Sequence, residues 1–328
     1  MCIEKGIGKN GAMVTMTKKI LVALGGNAIL KHREKGTADE QFENVAATAR
    51  HLSDLVKNGH RIAITHGNGP QVGDILLANE CAKDMLPLMP LDVCGAESGG
   101  MIGYMLQQSM ENELSRLGIH VPVATILTQT LVDRNDPAFQ APAKPIGPFF
   151  TAMEASQIRR KRGWTIANDS GRGYRRLVPS PNPLAILESD AIKNLFSAGV
   201  IVVACGGGGI PVARDDEGNV RGVEAVIDKD HTAALLARAI GAEILLILTD
   251  VEKVALNFGR STQLDLDRMT VSEAVRFKDE GQFARGSMEP KIEAAIDFLA
   301  TGGDRVVITR SELGYAAIEG RAGTHIVP

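Results

Sequence analysis

The chain has 328 residues, 44% hydrophobic and 23% charged, which excludes a disordered or collagen-like protein and allows one or two domains around a sizeable core. A formal net charge of −3 offers no basic surface for nucleic acid and no acidic block for a basic partner. Four cysteines, Cys2, Cys81, Cys94 and Cys205, make no C-x-x-C pair and have no histidine at ligand spacing, so neither a zinc site nor a disulfide framework is indicated and a reducing cytoplasm is expected.

Residues 1–17 contain no arginine and no apolar run of signal-peptide length, and read as a loose extension without a secretory or mitochondrial leader. No apolar run reaches the roughly 20 residues of a membrane helix. From residue 18 onwards, short β-branched runs alternate with longer amphipathic segments. Strands are expected at 19–24, 61–66, 122–128, 200–205, 243–250 and 305–310. Helices are expected near 40–57, 70–83, 98–117, 188–198, 230–242 and 290–301. This alternation predicts a mostly parallel open sheet with helices on both faces, and ligands at the C-terminal strand ends. The proline-rich stretch 130–183, with an RRKR cluster and GRGYRR, shows little helical periodicity. An insertion of that length inside a compact domain is uncommon unless functional, and a small lid subdomain is expected there.

Strand-end glycines supply the first functional signal. VALGGN (22–27), AITHGNGPQVG (63–73) and VVACGGGGIP (202–211) follow expected strands, and CGAESGGMIGY (94–104) is read as a fourth glycine turn. Such turns let a backbone approach an anion closely and leave N–H groups free to hold it. None is a P-loop, and Gly67, Gly69 and Gly73 are one residue too widely spaced for a dinucleotide fingerprint. A phosphate site of another construction is favoured.

Two lysines stand where helices disfavour them. Lys229 opens an expected helix, with Asp228 or Asp230 as its cap and Gly241 as its stop. Lys291 follows Pro290 at the start of another, whose buried stripe is expected at Ile292, Ala295, Ile296 and Leu299. A cation at the positive end of the helix dipole is unfavourable unless an anion is bound there. His66 reads as a hydrogen-bonded crevice histidine. Cys205 has two readings: a small buried residue, or a thiol activated beside a helix N-terminus and open to modification.

With these motifs, and with PLDVCGAESGGMIGYMLQ, APAKPIGPFF, GRGYRRLVPSPNP, EAVIDKDHTAALLA, LTDVEKVALNFG and GSMEPKIEAA, the chain closely resembles the carbamate kinases of the amino-acid kinase superfamily from about Lys18 onwards. The resemblance implies a three-layer αβα sandwich, a cytoplasmic homodimer, and reversible phosphoryl transfer from ATP to carbamate with Mg²⁺, run towards ATP in arginine breakdown. Gly25, Gly26 and Asn27 would then hold the transferring phosphate. Gly67, Asn68 and Gly69 would line the carbamate side, and Gly206, Gly207 and Gly208 would continue that wall. Lys229 and Lys291 would neutralise phosphate charge, Asp230 would orient them, and Lys144 would close over the reacting centre from the lid. The nucleotide would lie near Asp228, Thr249, Asp250, Val254 and Met288. No protein residues are implied as metal ligands. Ala23 stands where superfamily relatives usually carry lysine, and Ala255 where many carry tyrosine. The alternatives are a kinase for another acid and a non-catalytic nucleotide sensor.

Overall fold

A computed structural model describes residues 17–31, 34–169, 171 and 173–328. Cys2, all of the expected N-terminal extension except Thr17, and Arg172 of GRGYRR lie outside the described residues. Eight strands form the main sheet, in the order Arg268–Thr270, Thr324–Val327, Arg305–Arg310, Ile244–Thr249, Lys19–Leu24, Arg61–His66, Ile201–Val203 and Val123–Thr125. All neighbours run parallel except Arg305–Arg310 with Thr324–Val327.

The central strands are apolar at successive positions because both their faces are covered. Leu21, Ala23, Leu245 and Ile247 pack towards the helices Ser189–Ser197, Lys229–Ile240 and Glu289–Ala300. Ile20, Val22, Leu246 and Leu248 pack on the opposite face towards Ala38–Lys57 and Leu91–Arg116. This is the expected αβα sandwich. Strand Lys19–Leu24 lies between Ile244–Thr249 and Arg61–His66, so the chain leaves it in one direction and returns much later on its other side. A ligand crevice belongs at the C-terminal ends of strands around such a reversal.

Two sequence expectations change. Residues 94–104 form no turn but lie inside the helix Leu91–Arg116, which starts directly after Pro90. Packing explains Gly103: a Cβ there would sit 2.3 Å from Thr125 Cγ2, so this helix approaches the edge strand only with glycine at that position. The strands expected at 122–128 and 200–205 are shorter, Val123–Thr125 and Ile201–Val203.

Segment 130–183 is more ordered than its composition suggests. Gln129–Val132 and Pro183–Ile186 pair with each other in a second, four-stranded sheet, so the insert leaves and re-enters through neighbouring strands. Between them, Lys144–Phe150, Tyr174–Val178 and Ile166–Asn168 form an antiparallel sheet beside the helix Ala152–Arg162. That helix has a Thr151/Glu154 capping box and ends at Gly163 in the left-handed region, a signature legible in TAMEASQIRRKRG but overlooked beside the prolines. The insert's Ile146 and Val178 pack on Val72, Leu76, Leu91 and Cys94. There Gly73 meets Gly147 backbone to backbone, since a Cβ on Gly73 would fall 1.9 Å from Gly147 Cα.

Candidate active site

The strand-end crevice gathers its charges on one helix start. Asp228 caps the helix Lys229–Ile240 by accepting the Asp230 N–H on Oδ1 at 2.9 Å; Asp230 is not the cap. Instead Asp230, only 3% exposed, accepts Lys229 Nζ on Oδ1 and Lys291 Nζ on Oδ2, the latter at 3.1 Å. Lys291 comes from the first turn of Glu289–Ala300, whose N-cap Met288 makes no side-chain capping bond. That helix buries Ile292, Ala295 and Leu299 as expected, with Ala294 and Phe298, while Ile296 is only partly covered. Lys144 opens the insert's first strand and reaches Asp228 Oδ2 at 2.5 Å. Three lysines from three separate elements therefore converge on two carboxylates.

Burial sets the electrostatics. It pushes Lys229, 9% exposed, below the ordinary lysine value although Asp230 opposes it. Burial also works against the Lys291 ammonium, but Asp230 at hydrogen-bond distance outweighs it and holds Lys291 above the ordinary value. For Asp230 burial favours the neutral acid, yet the two lysines win and keep the carboxyl low. Two cations against one fully shared carboxylate leave a positive surplus in a dry site, which is what an incoming polyanion can use.

The glycine turns face this cluster. Gly25 N–H donates to Leu248 O at 2.9 Å, closing the turn after the first strand. The open side of Gly67 looks onto Lys229 and Gly26, where an added Cβ would lie 3.6 Å from Lys229 Cδ and 3.7 Å from Gly26 N. Gly206–Gly208 forms a short 3₁₀ turn behind the Asn68 segment. Gly207 has φ +67°, and a Cβ there would lie 2.1 Å from Asn68 Nδ2, so both conformation and space require glycine. Thr130 and Thr232 hydroxyls donate to Gly208 O at 2.9 and 3.0 Å, and Asn68 Nδ2 donates to Ser98 Oγ at 2.8 Å. These clamps had no local sequence signal. Gly69, at the start of its helix, faces Pro145 and Arg175 of the insert.

His66 is 1% exposed, with Nδ1 3.0 Å from Gly67 O. Burial is the main cause that takes its imidazole down from 6.5 to about 4, so it is neutral near pH 7 and a weak base. The unfolded chain binds a proton at His66 between those values and the folded chain does not, so stability is complete above about pH 6.5 and falls by about 3 kcal/mol as pH drops through about 4. His60 and His325 are lowered in the same sense. The His66 share is therefore the difference in pH slope between wild type and His66→Gln in denaturant unfolding at pH 7 and pH 5, and identical slopes would contradict it.

Among the positions expected to lie near the nucleotide, Thr249 ends the strand Ile244–Thr249, and the next residue, Asp250, accepts Asn27 Nδ2 at 2.5 Å. That bond ties the first glycine turn to the loop after the strand Ile244–Thr249 and has no local sequence signal. Met288 is partly buried at the start of Lys291's helix. Val254 is 0% exposed and donates its N–H to Thr324 Oγ1 at 2.8 Å, so it supports this wall from the core and does not present its side chain to a ligand.

Comparison with known proteins places this geometry. Residues 18–310 match the model of the amino acid kinase family. The chain is 48% identical over 313 residues to the carbamate kinase of Thermococcus kodakarensis, covering 94% of this chain and 99% of that protein. It is 49% identical over 319 residues to a carbamate kinase-like protein of Escherichia coli, with 95% and 99% covered. The solved carbamate kinase of Giardia lamblia bound to AMP-PNP superposes with a TM-score of 0.87 at 41% identity, over 96% of this chain and 99% of that one. The chain belongs to the carbamate kinases of the amino acid kinase family.

Within a carbamate kinase scaffold, Cys205 is a structural residue. It is fully buried, and burial is the main cause that pushes its thiol well above the ordinary value. Its N–H donates to Thr128 Oγ1 and its carbonyl accepts from Thr65 Oγ1, both at 3.0 Å. An activated, modifiable thiol is therefore not what this position holds. Among the described residues no group of three or more His, Cys, Asp or Glu side chains could hold a metal, and no helix is long and apolar enough to cross a membrane.

Proposed function

We propose that this carbamate kinase family member catalyses reversible phosphoryl transfer between ATP and carbamate, giving ADP and carbamoyl phosphate, and works towards ATP in arginine breakdown. The observation that carries the reading is the convergence of Lys144, Lys229 and Lys291 on Asp228 and Asp230, opposite the turns at Gly26 and Gly67.

Phosphoryl transfer needs positioning and charge stabilisation more than covalent help. In the ATP-forming direction, an ADP β-phosphate oxygen attacks the phosphorus of carbamoyl phosphate, and the bond from phosphorus to the carbamate oxygen breaks. Carbamate leaves as an anion, so no side chain must supply or take a proton, in keeping with the neutral His66. The turn Gly25–Gly26–Asn27 holds the transferring phosphoryl group, with the Gly25 N–H bound to Leu248 O so that it shapes the turn while Gly26 and Asn27 face the ligand. Gly67, Asn68 and Gly69 position the carbamoyl end, with Gly206, Gly207 and Gly208 supporting them. Lys229 and Lys291, oriented by Asp230, neutralise charge that spreads over the equatorial oxygens in the transition state. The nucleotide lies along Thr249, Asp250 and Met288, with Asp228 at its phosphate end.

We assign Mg²⁺ to the nucleotide phosphates and water, because Asp228 and Asp230 are engaged by lysines and Asp250 by Asn27, leaving no carboxylate cage. When bound it supplies additional charge neutralisation on those phosphates. Residues 130–183 act as a lid that brings Lys144 over the centre and excludes the water that would hydrolyse a mixed anhydride. We place the enzyme in the cytoplasm as a homodimer. Exposed Val93 and Tyr104 on the helix Leu91–Arg116, with Leu127 beyond the edge strand, supply an apolar surface for a second copy.

The test is ATP formation from ADP, Mg²⁺ and carbamoyl phosphate, with acetyl phosphate as control donor. Turnover dependent on carbamoyl phosphate is expected. ADP binding without turnover would point to a sensor, and a preference for acetyl phosphate to another acid substrate.

A further inference from the structure

Helix capping alone does not account for an aspartate at position 228. An N-cap needs one hydrogen-bond acceptor, and Asn, Ser or Thr serves as well as Asp. Asp228 uses Oδ1 for that purpose, taking the Asp230 N–H at 2.9 Å. Its second oxygen takes the Lys144 ammonium at 2.5 Å, across 84 residues of chain. Asparagine could keep the cap with its carbonyl but would turn an NH₂ donor towards the ammonium.

Resting on the proposed reaction, we propose that Asp228 is a positioning residue that holds Lys144 at the N-terminus of the helix bearing Lys229 and Asp230, so that the lid closes with its lysine already aimed at the transferring phosphoryl group.

Lys144 and Asp228 side chains are 25% and 15% exposed, so the pair is well shielded from solvent and salt. A lysine has four rotatable bonds, and freezing them before the transition state forms removes an entropic penalty from the chemical step. One of the three ammonium hydrogens satisfies Asp228, which leaves two for phosphate oxygens. Burial raises the Asp228 carboxyl, but the Lys144 charge and hydrogen bond outweigh it and hold the carboxyl far below the usual range, so the anchor stays ionised. The same carboxylate fixes the first turn that presents Lys229. Lid closure and helix alignment are thereby referred to one atom group.

The experiment compares Asp228→Asn and Asp228→Ala, each alone and combined with Lys144→Met, in the coupled ATP-forming assay, with unfolding stability measured alongside. Asp228→Asn keeps the cap and loses only the Lys144 pair, so it should be less destabilised than Asp228→Ala, which loses both. Both should lower kcat by about tenfold to a hundredfold, with KM for ADP little changed. In the Lys144→Met background, Asp228→Asn should add no further loss. A wild-type kcat for Asp228→Asn, or a loss that multiplies with that of Lys144→Met, overturns the proposal. A wild-type protein without carbamoyl phosphate turnover refutes the reaction, and the pairing is then read from reductive methylation of Lys144 followed by peptide mass. Methylation faster in Asp228→Asn than in wild type supports the tie, and equal rates overturn it.

Discussion

Lys229→Met is expected to lower kcat for ATP formation by about a hundredfold to a thousandfold, the loss found when one preorganised charge-stabilising donor is removed. Methionine keeps most of the side-chain length and its packing beside Gly67, so the crevice should hold its shape. Asp230 retains Lys291 at 3.1 Å, and no unpaired carboxylate is left behind. Folding stability should therefore change little, and KM for ADP should change less than kcat, since the lost interaction is strongest when charge spreads in the transition state. The check is steady-state kinetics beside a denaturant titration. Turnover within a few-fold of wild type would remove Lys229 from the mechanism. A matching loss of stability would make it a structural lysine.

Asp230→Asn should fail in a different manner. It leaves Lys229 and Lys291, both largely buried, facing a neutral amide, and breaking a buried ion pair on one side typically destabilises by about 3–5 kcal/mol. Three consequences separate this from simple loss of fold. Kinetic activity should drop by at least as much as in Lys229→Met, because both lysines lose their orientation. Nucleotide should stabilise the variant more than it stabilises wild type, because phosphates replace the missing anion. Stability relative to wild type should also rise with pH. Lys229 already lies below its ordinary value through burial, and without Asp230 it falls further, so the unfolded state binds more protons than the folded one over that range. Thermal unfolding at pH 7 and pH 9, with and without ADP, measures all of this. A variant as stable as wild type at pH 7 would show that Asp230 does not balance the lysines.

Much of this protein is written locally. The runs KILVAL, RIAITH, EILLILT and RVVITR form central strands because β-branched and apolar residues covered on both faces need no alternation. Gly241 ends its helix in the left-handed conformation expected of it. The lysines opening two helices stand out because they oppose the helix dipole, a conflict visible within a few residues.

Other features depended on contacts far along the chain. The short strands Gln129–Val132 and Pro183–Ile186 exist because they pair with each other and with the second sheet; neither carries enough apolar periodicity to declare itself. The glycines of 94–104 resembled a turn, and only the packing of Gly103 against Thr125 shows why this helix needs glycine at that one position. The division of labour between Asp228 and Asp230 was equally illegible, since either could have capped the helix. Lys291 comes to Asp230 from 61 residues away, and Lys144 to Asp228 from 84. By itself the sequence determined which elements form and which residues carry unusual charge, because backbone propensity and dipole conflicts act over a few residues. Only the tertiary structure decided which lysine meets which carboxylate, because that pairing depends on how separate strand ends and an inserted sheet meet in one dry crevice.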